Sequence, residues 1–239
     1  SMGGDERPQA AETAPQPRLV DLFYATDRAT DTEGDIYFSG IRGDLSYGIA
    51  QISIPPDHVM GEHEEPSLLK LEWSPEEDKH INVRDVLKLN RKAFISRLSR
   101  AVETSPDNKL MVFVHGYNEE FPDTSRRVAQ FADDLKFSGP VVLFSWPSQG
   151  GLTGYTVDET NAEWAQAHFV ELMSDLLEQV PVHSIYLVGH SMGNRIIGNA
   201  MITLSGDRLE SDLMLFREII MIAPDIDASA LPVDAGMRS

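Results

Sequence analysis

The sequence predicts an α/β protein built on a mainly parallel, doubly wound sheet with helices on both faces. Three observations carry that expectation. Short, continuous apolar runs recur, each suited to a strand buried on both faces. Between them lie longer stretches whose apolar residues repeat at helical spacing. From Leu110 onward the two kinds of segment alternate, which is the order that right-handed parallel crossovers require.

Residues 1–18, SMGGDERPQAAETAPQPR, are rich in Ala, Pro, Gln and charge and offer almost nothing to bury. They read as a disordered arm with a cloning-derived Ser-Met start. Such an arm can tether a domain behind a removed secretion signal, so cytoplasmic and periplasmic or membrane-tethered locations both stay open. Residues 19–239 read as one domain, with no internal repeat and no further linker. LVDLFYATDR (Leu19–Arg28) is a strand, and YGIAQISIP (Tyr47–Pro55) alternates apolar and polar residues until its prolines stop it. LLKLEW and INVRDVLKL also alternate with period two and are expected to pair near the sheet edge. FISRLSRAV sets Phe94, Ile95, Leu98, Ala101 and Val102 on one helical face.

LMVFVHG is the next buried strand, and in TSRRVAQFADDLKF the residues Val128, Phe131, Ala132 and Leu135 form a helical stripe. PVVLFSWP is a further strand. After the loop SQGGLTGYTVDE a long helix is expected to begin near Thr160. There TNAE has the form of a capping box, Thr160 covering the first amides and Glu163 reaching back. SIYLVGHS, GNRIIGNAMITLS and REIIMIAPDID then complete a strand, a helix and a strand.

The formal net charge of −18 argues against nucleic acid and against anionic lipid as partners. With no cysteine, disulfides, thiolate metal sites and a cysteine nucleophile are excluded. No apolar stretch approaches the length of a bilayer-spanning helix, so no membrane insertion is expected. No Gly-rich phosphate loop or dinucleotide fingerprint is present, so no cofactor is implied. HVMGEH and His80 offer His and Glu, but in an acidic loop rather than on a helix face, and no metal is expected.

In a sheet of this kind ligands sit beyond the carboxyl ends of the strands. HGYNEE, SWPSQGG, GHSMGN and APDIDA all fall at such ends and should converge on one crevice. GHSMG, Gly189 to Gly193, follows the G-x-S-x-G pattern between a buried strand and a helix. A serine there, Ser191, sits on a sharp, strained turn that tolerates only small neighbours, which Gly189 and Gly193 supply. The turn exposes the hydroxyl and brings helix N-terminal amides close to a developing oxyanion. An oxyanion hole needs two N–H groups. Met192, just after the serine, provides one, and Tyr117 the other, in a loop whose tight turn Gly116 allows. His115 is read as a packed loop histidine rather than a base.

These residues resemble the α/β-hydrolase superfamily. More narrowly, the chain resembles a bacterial family of uncharacterised serine hydrolases of esterase/lipase type, the domain of unknown function DUF900. The matching text is FYATDR, LSYGIAQISIP, HVMGE, VFVHGYN, FSWPSQG, GYTVDETNAEW, GHSMGNR and APDID, spanning nearly all of Leu19 to Asp227. The resemblance implies an esterase-like fold with Ser191 as nucleophile and the Met192 and Tyr117 amides as oxyanion hole. It leaves the substrate open beyond a small ester or acyl compound. Tyr155, Asp158, Asn161 and Trp164 belong to the same pattern, either packing and capping the long helix or touching substrate.

An α/β hydrolase orders its triad Ser, acid, His. Asp225, at the end of the strand after the nucleophile helix, is the candidate acid, with Asp227 second. His58, His63, His80, His115, His168, His183 and His190 all precede or adjoin Ser191, and none is a credible base. His190 should point away from the serine along the strand. Further strands carrying an acid and a late histidine are therefore expected beyond residue 239, and this chain alone is expected to be inactive. A base from another chain is one alternative. The other is a non-catalytic binding or scaffold protein that keeps the fold.

Overall fold

The computed structural model describes residues 16–34, 36–56, 81–149 and 154–223. Seven strands form one sheet: β1 (Arg18–Thr30), β2 (Phe38–Ile54), β3 (Asn82–Leu89), β4 (Lys109–Val114), β5 (Val141–Ser145), β6 (Ser184–His190) and β7 (Phe216–Ile222). Their order is β3-β2-β1-β5-β4-β6-β7. β1, β5, β4, β6 and β7 run parallel, β2 pairs antiparallel to β1, and β3 pairs antiparallel to β2. The helices are α1 (Arg91–Glu103), α2 (Phe121–Asp134), α3 (Tyr155–Gln179), α4 (Gly193–Asp207) and the single-turn α5 (Glu210–Leu213).

The apolar spacing read from the sequence decides which face each helix covers. Phe94, Leu98 and Val102 of α1, Phe169, Leu172 and Leu176 of α3, and Ile196, Ala200 and Leu204 of α4 are buried on one face. They pack there with Val112, Phe144 and Leu187. Phe121, Val128 and Phe131 of α2 cover the other face, packed with Tyr24, Phe113 and Leu143. Helices on both faces of a mostly parallel sheet make this an α/β-hydrolase-like architecture.

Three expectations are refined. β2 begins at Phe38, well before Tyr47, because the Gly/Asp-rich connection continues the pairing with β1 through register shifts near Arg28. Gly43 permits this, since a Cβ there would meet Ala29 N at 2.8 Å. INVRDVLKL supplies the edge strand β3, while its expected partner LLKLEW lies outside the described residues.

The capping box at Thr160 is not one. α3 starts at Tyr155 behind Gly154, and Thr160 lies one and a half turns inside, its hydroxyl donating to the Thr156 carbonyl at 3.1 Å. The first turns are held by tertiary contacts of Asp158 and Asn161, so the helix needs no cap at Thr160. Thr160→Ala is accordingly expected to change the unfolding free energy in urea by less than about 0.5 kcal/mol. A true N-cap would cost about 1 kcal/mol, and that is the value expected for Asn90→Ala, whose side chain accepts from Ala93 N at 2.8 Å.

Candidate active site

Parallel strands bring their carboxyl ends to one edge, and the segments 115–120, 146–149 and 190–193 meet there. Ser191 stands at the tip, between β6 and α4, with φ of 52°. That left-handed backbone is costly for a residue with a Cβ and is held here by its surroundings. Ser191 N donates to Ile222 O at 2.9 Å, and Asn194 N closes the turn on Ser191 O at 3.0 Å. Asn194 Nδ2 reaches the same Ile222 carbonyl at 3.1 Å, so the elbow is roped to the end of β7.

The three glycines are explained by close approach. A Cβ on Gly116 would lie 2.7 Å from His190 Nδ1 and 2.8 Å from Ser191 Cβ. On Gly193 it would overlap the carbonyl oxygens of Val114 and His115, and on Gly189 the Asn194 side chain. The loop after β4 is therefore pressed directly against the serine. Met192 is buried, and its N–H takes no partner among the described residues. The Ser191 hydroxyl likewise has no hydrogen-bond partner among them.

The loop carrying Tyr117 is pinned amide by amide. Gly116 N donates to Glu119 Oε2 at 2.7 Å, Asn118 N to Asp158 Oδ2 at 3.2 Å, and Glu119 N to Ser148 Oγ at 3.1 Å. Asn118 takes a positive φ of 59°, a conformation Asn tolerates well. Tyr117 stacks edge-on against Tyr155 at 5.2 Å, on the lip formed by the start of α3.

Beneath the loops lies a buried polar network that the sequence did not reveal. Arg28, 2% exposed, donates Nε to Ser145 Oγ at 2.8 Å, Nη1 to Ser148 O at 2.9 Å and Nη2 to Glu119 O at 2.6 Å. One guanidinium thus ties β1, β5 and the two following loops together. Burial lowers its pKa to about 10, with Asp27, Asp158 and Glu119 opposing that shift. Asp158 is fully buried and accepts from Ser148 Oγ and from Gln149 N, the latter at 2.8 Å. Asn161 donates to Pro147 O at 2.7 Å and accepts from Arg42 Nε at 2.8 Å. Arg42 stacks over Trp164 at 5.0 Å. Asp158 and Asn161 thus brace loops rather than cap α3. The sequence signal for Arg28 was its place, a charge soon after the apolar run LFYA of a strand.

His115 is a packed loop histidine, as expected. It is fully buried, stacked on Trp146 at 4.9 Å, and accepts from Trp146 N at Nε2. Nδ1 therefore carries the proton and donates to Gly116 O at 2.9 Å. Burial and the Arg28 charge lower its pKa to about 3. Glu119 is also buried. Burial alone would raise its pKa, but His190, His115 and the Gly116 N–H outweigh that and bring it to about 2. Arg127 holds its second oxygen at 3.1 Å.

His190 turns to Glu119, its Nδ1 3.6 Å from the carboxylate. His183 is exposed at the amino end of β6. His168 is different from expectation in one respect: its Nδ1 sits 2.9 Å from the buried Asp27, which raises its pKa. Asp27 lies on β1, three strand spacings or about 14 Å from the line of β6, so this acid–histidine pair stands well to one side of Ser191. Asp225 and Asp227, together with His58, His63 and His80, lie outside the described residues.

The family described as alpha/beta hydrolase of unknown function (DUF900) matches residues 90–235, well over half of the chain. The chain belongs to this family. As an alpha/beta hydrolase it is similar to the protein named "Putative esterase/lipase 2" of Mycoplasma genitalium, 29% identical over 87 residues. It is similar also to the protein of the same name from Mycoplasma pneumoniae, 31% identical over 85 residues. The matched segment covers 36% of this chain and only 30% and 29% of those two proteins. No solved structure matches the DUF900 chain significantly.

Proposed function

We propose that Ser191 is the nucleophile of a serine hydrolase acting on carboxylic esters, with thioesters and amides as chemically related substrates. The observation that carries this reading is the φ of 52° at Ser191, on a strand-to-helix elbow that no side chain larger than hydrogen could flank. Such strain has a use when it presents a hydroxyl to the crevice. In the proposed reaction Ser191 Oγ attacks the acyl carbon and its proton passes to a base. The oxyanion is held by the N–H groups of Met192 and Tyr117, the latter assigned from its place in the loop. Collapse expels the alcohol and leaves an acyl-enzyme, which water then cleaves.

The reaction needs a histidine base, which none of His115, His168, His183 and His190 supplies, and Asp225 is the candidate for the acid that orients such a base. Gly116, Gly189 and Gly193 serve by allowing the close approach. In the full-length protein a fluorophosphonate probe is expected to label Ser191, and Ser191→Ala to abolish the labelling. Equal labelling of both would remove Ser191 from the role. Labelling of neither would favour a binding protein that keeps the fold without the chemistry.

A further inference from the structure

At the amino end of the parallel strands, opposite Ser191, lies a second concavity of about 670 Å³, a size that suits a small organic ligand. One wall is a single face of α1. Arg97, Arg100, Ala101 and Thr104 line it at the i, i+3, i+4, i+7 spacing, while Phe94, Leu98 and Val102 of the same helix turn into the core. Phe23 and Ile49 contribute apolar surface from β1 and β2. Phe137 and the Ser138–Gly139 turn close it from the loop that leads into β5.

Two arginines line this site. Arg18, Arg91, Arg126, Arg127, Arg195 and Arg208 each reach a carboxylate within salt-bridge distance. Arg97 and Arg100 have no ion pair or side-chain hydrogen bond among the described residues, in a chain of net charge −18. Asp21 also lines the concavity and, with Asp85, borders a smaller recess that Arg97 shares and Arg100 does not. Arg100 therefore lacks a carboxylate partner among the described residues, with Arg97 beside it one turn away. Guanidinium groups above aromatic and aliphatic walls match a ligand that is anionic at one end and apolar at the other.

We propose that this concavity binds an amphipathic carboxylate, its head at Arg100 and Arg97 and its apolar body along Phe23, Ile49 and Phe137. The site is independent of Ser191, and its failure would leave the hydrolase reading untouched.

Decanoate is the probe, followed by amide chemical shifts and calorimetry on the intact chain. Saturable shifts are expected at residues 97–105 and at Ser138 and Gly139. The Arg97→Gln/Arg100→Gln double variant is expected to weaken binding at least tenfold, and uncharged 1-decanol to bind at least tenfold more weakly than decanoate. Both arginines are exposed and glutamine is a good helix former, so the variant should keep its fold. Ala101→Trp, which fills the space without touching charge, should also abolish the shifts. The proposal is overturned if those amides do not respond, if the double variant or 1-decanol binds as well as decanoate does to the parent, or if shifts cluster only around Ser191.

Discussion

Replacing Arg28 with methionine is expected to lower the unfolding free energy by about 3–5 kcal/mol, the usual cost of breaking a buried charged network from one side. Methionine fills much of the volume but leaves Ser145 Oγ and the carbonyls of Ser148 and Glu119 without their donor. It also removes a positive charge that interacts favourably with the buried Asp27, Asp158 and Glu119. Arg28→Lys should recover only part of the loss, since one ammonium cannot serve acceptors on three segments. Urea unfolding followed by far-ultraviolet circular dichroism measures both; a cost under about 1 kcal/mol for the methionine variant would contradict the bracing role. Labelling of Ser191 should slow as well, because the segment Arg28 holds at Glu119 is the one that presents Gly116 and Tyr117.

Mild acid should destabilise the protein through His115. In the unfolded chain this imidazole takes up a proton near its ordinary value of 6.5, whereas the folded protein resists protonation until about 3. The unfolded state then binds more protons, so stability is complete above the ordinary value and is lost as pH falls toward the folded one. The limiting slope is about 1.4 kcal/mol per pH unit. Glu119 adds a second loss at lower pH: its folded value of about 2 lies below the ordinary 4.5, so its contribution is present above 4.5 and disappears as pH falls through 2. His168 works in the opposite direction at higher pH. Its raised value gives stability that is present in acid and lost as pH rises through it. Comparing the slope of stability between pH 4.5 and 6.5 in the parent and in His115→Asn isolates the imidazole, since the other groups are common to both. Parallel slopes in that window would show that His115 titrates normally.

The sheet and the elbow were legible because they rest on local patterns. Runs such as LMVFVHG and SIYLVGHS state their burial by composition, and Gly189, Ser191 and Gly193 state the turn by spacing. The start of α3 was misplaced because TNAE fits a cap locally, while Asp158 and Asn161 spend their side chains on loops that arrive from elsewhere in the chain. The bracing by Arg28 was hidden for the same reason. Its acceptors on Ser145, Ser148 and Glu119 lie 91 to 120 residues away, and no periodicity in a single sequence records such a distance. The Asp27–His168 contact joins residues 141 apart and was invisible on the same ground.

The carbonyl of Ile222 accepts from both Ser191 N and Asn194 Nδ2, and this sets an order of events during synthesis. β6 and α4 can be made and even paired with β4 while the turn between them still lacks its outer anchor. The left-handed serine is secured only when β7 has emerged and docked, some thirty residues later than the serine itself. A nascent chain therefore carries the Ser191 hydroxyl in an unshaped turn until those thirty residues have been added. The strained conformation arises late, as the sheet extends past it, and any event that peels β7 away would relax the elbow without unfolding the rest.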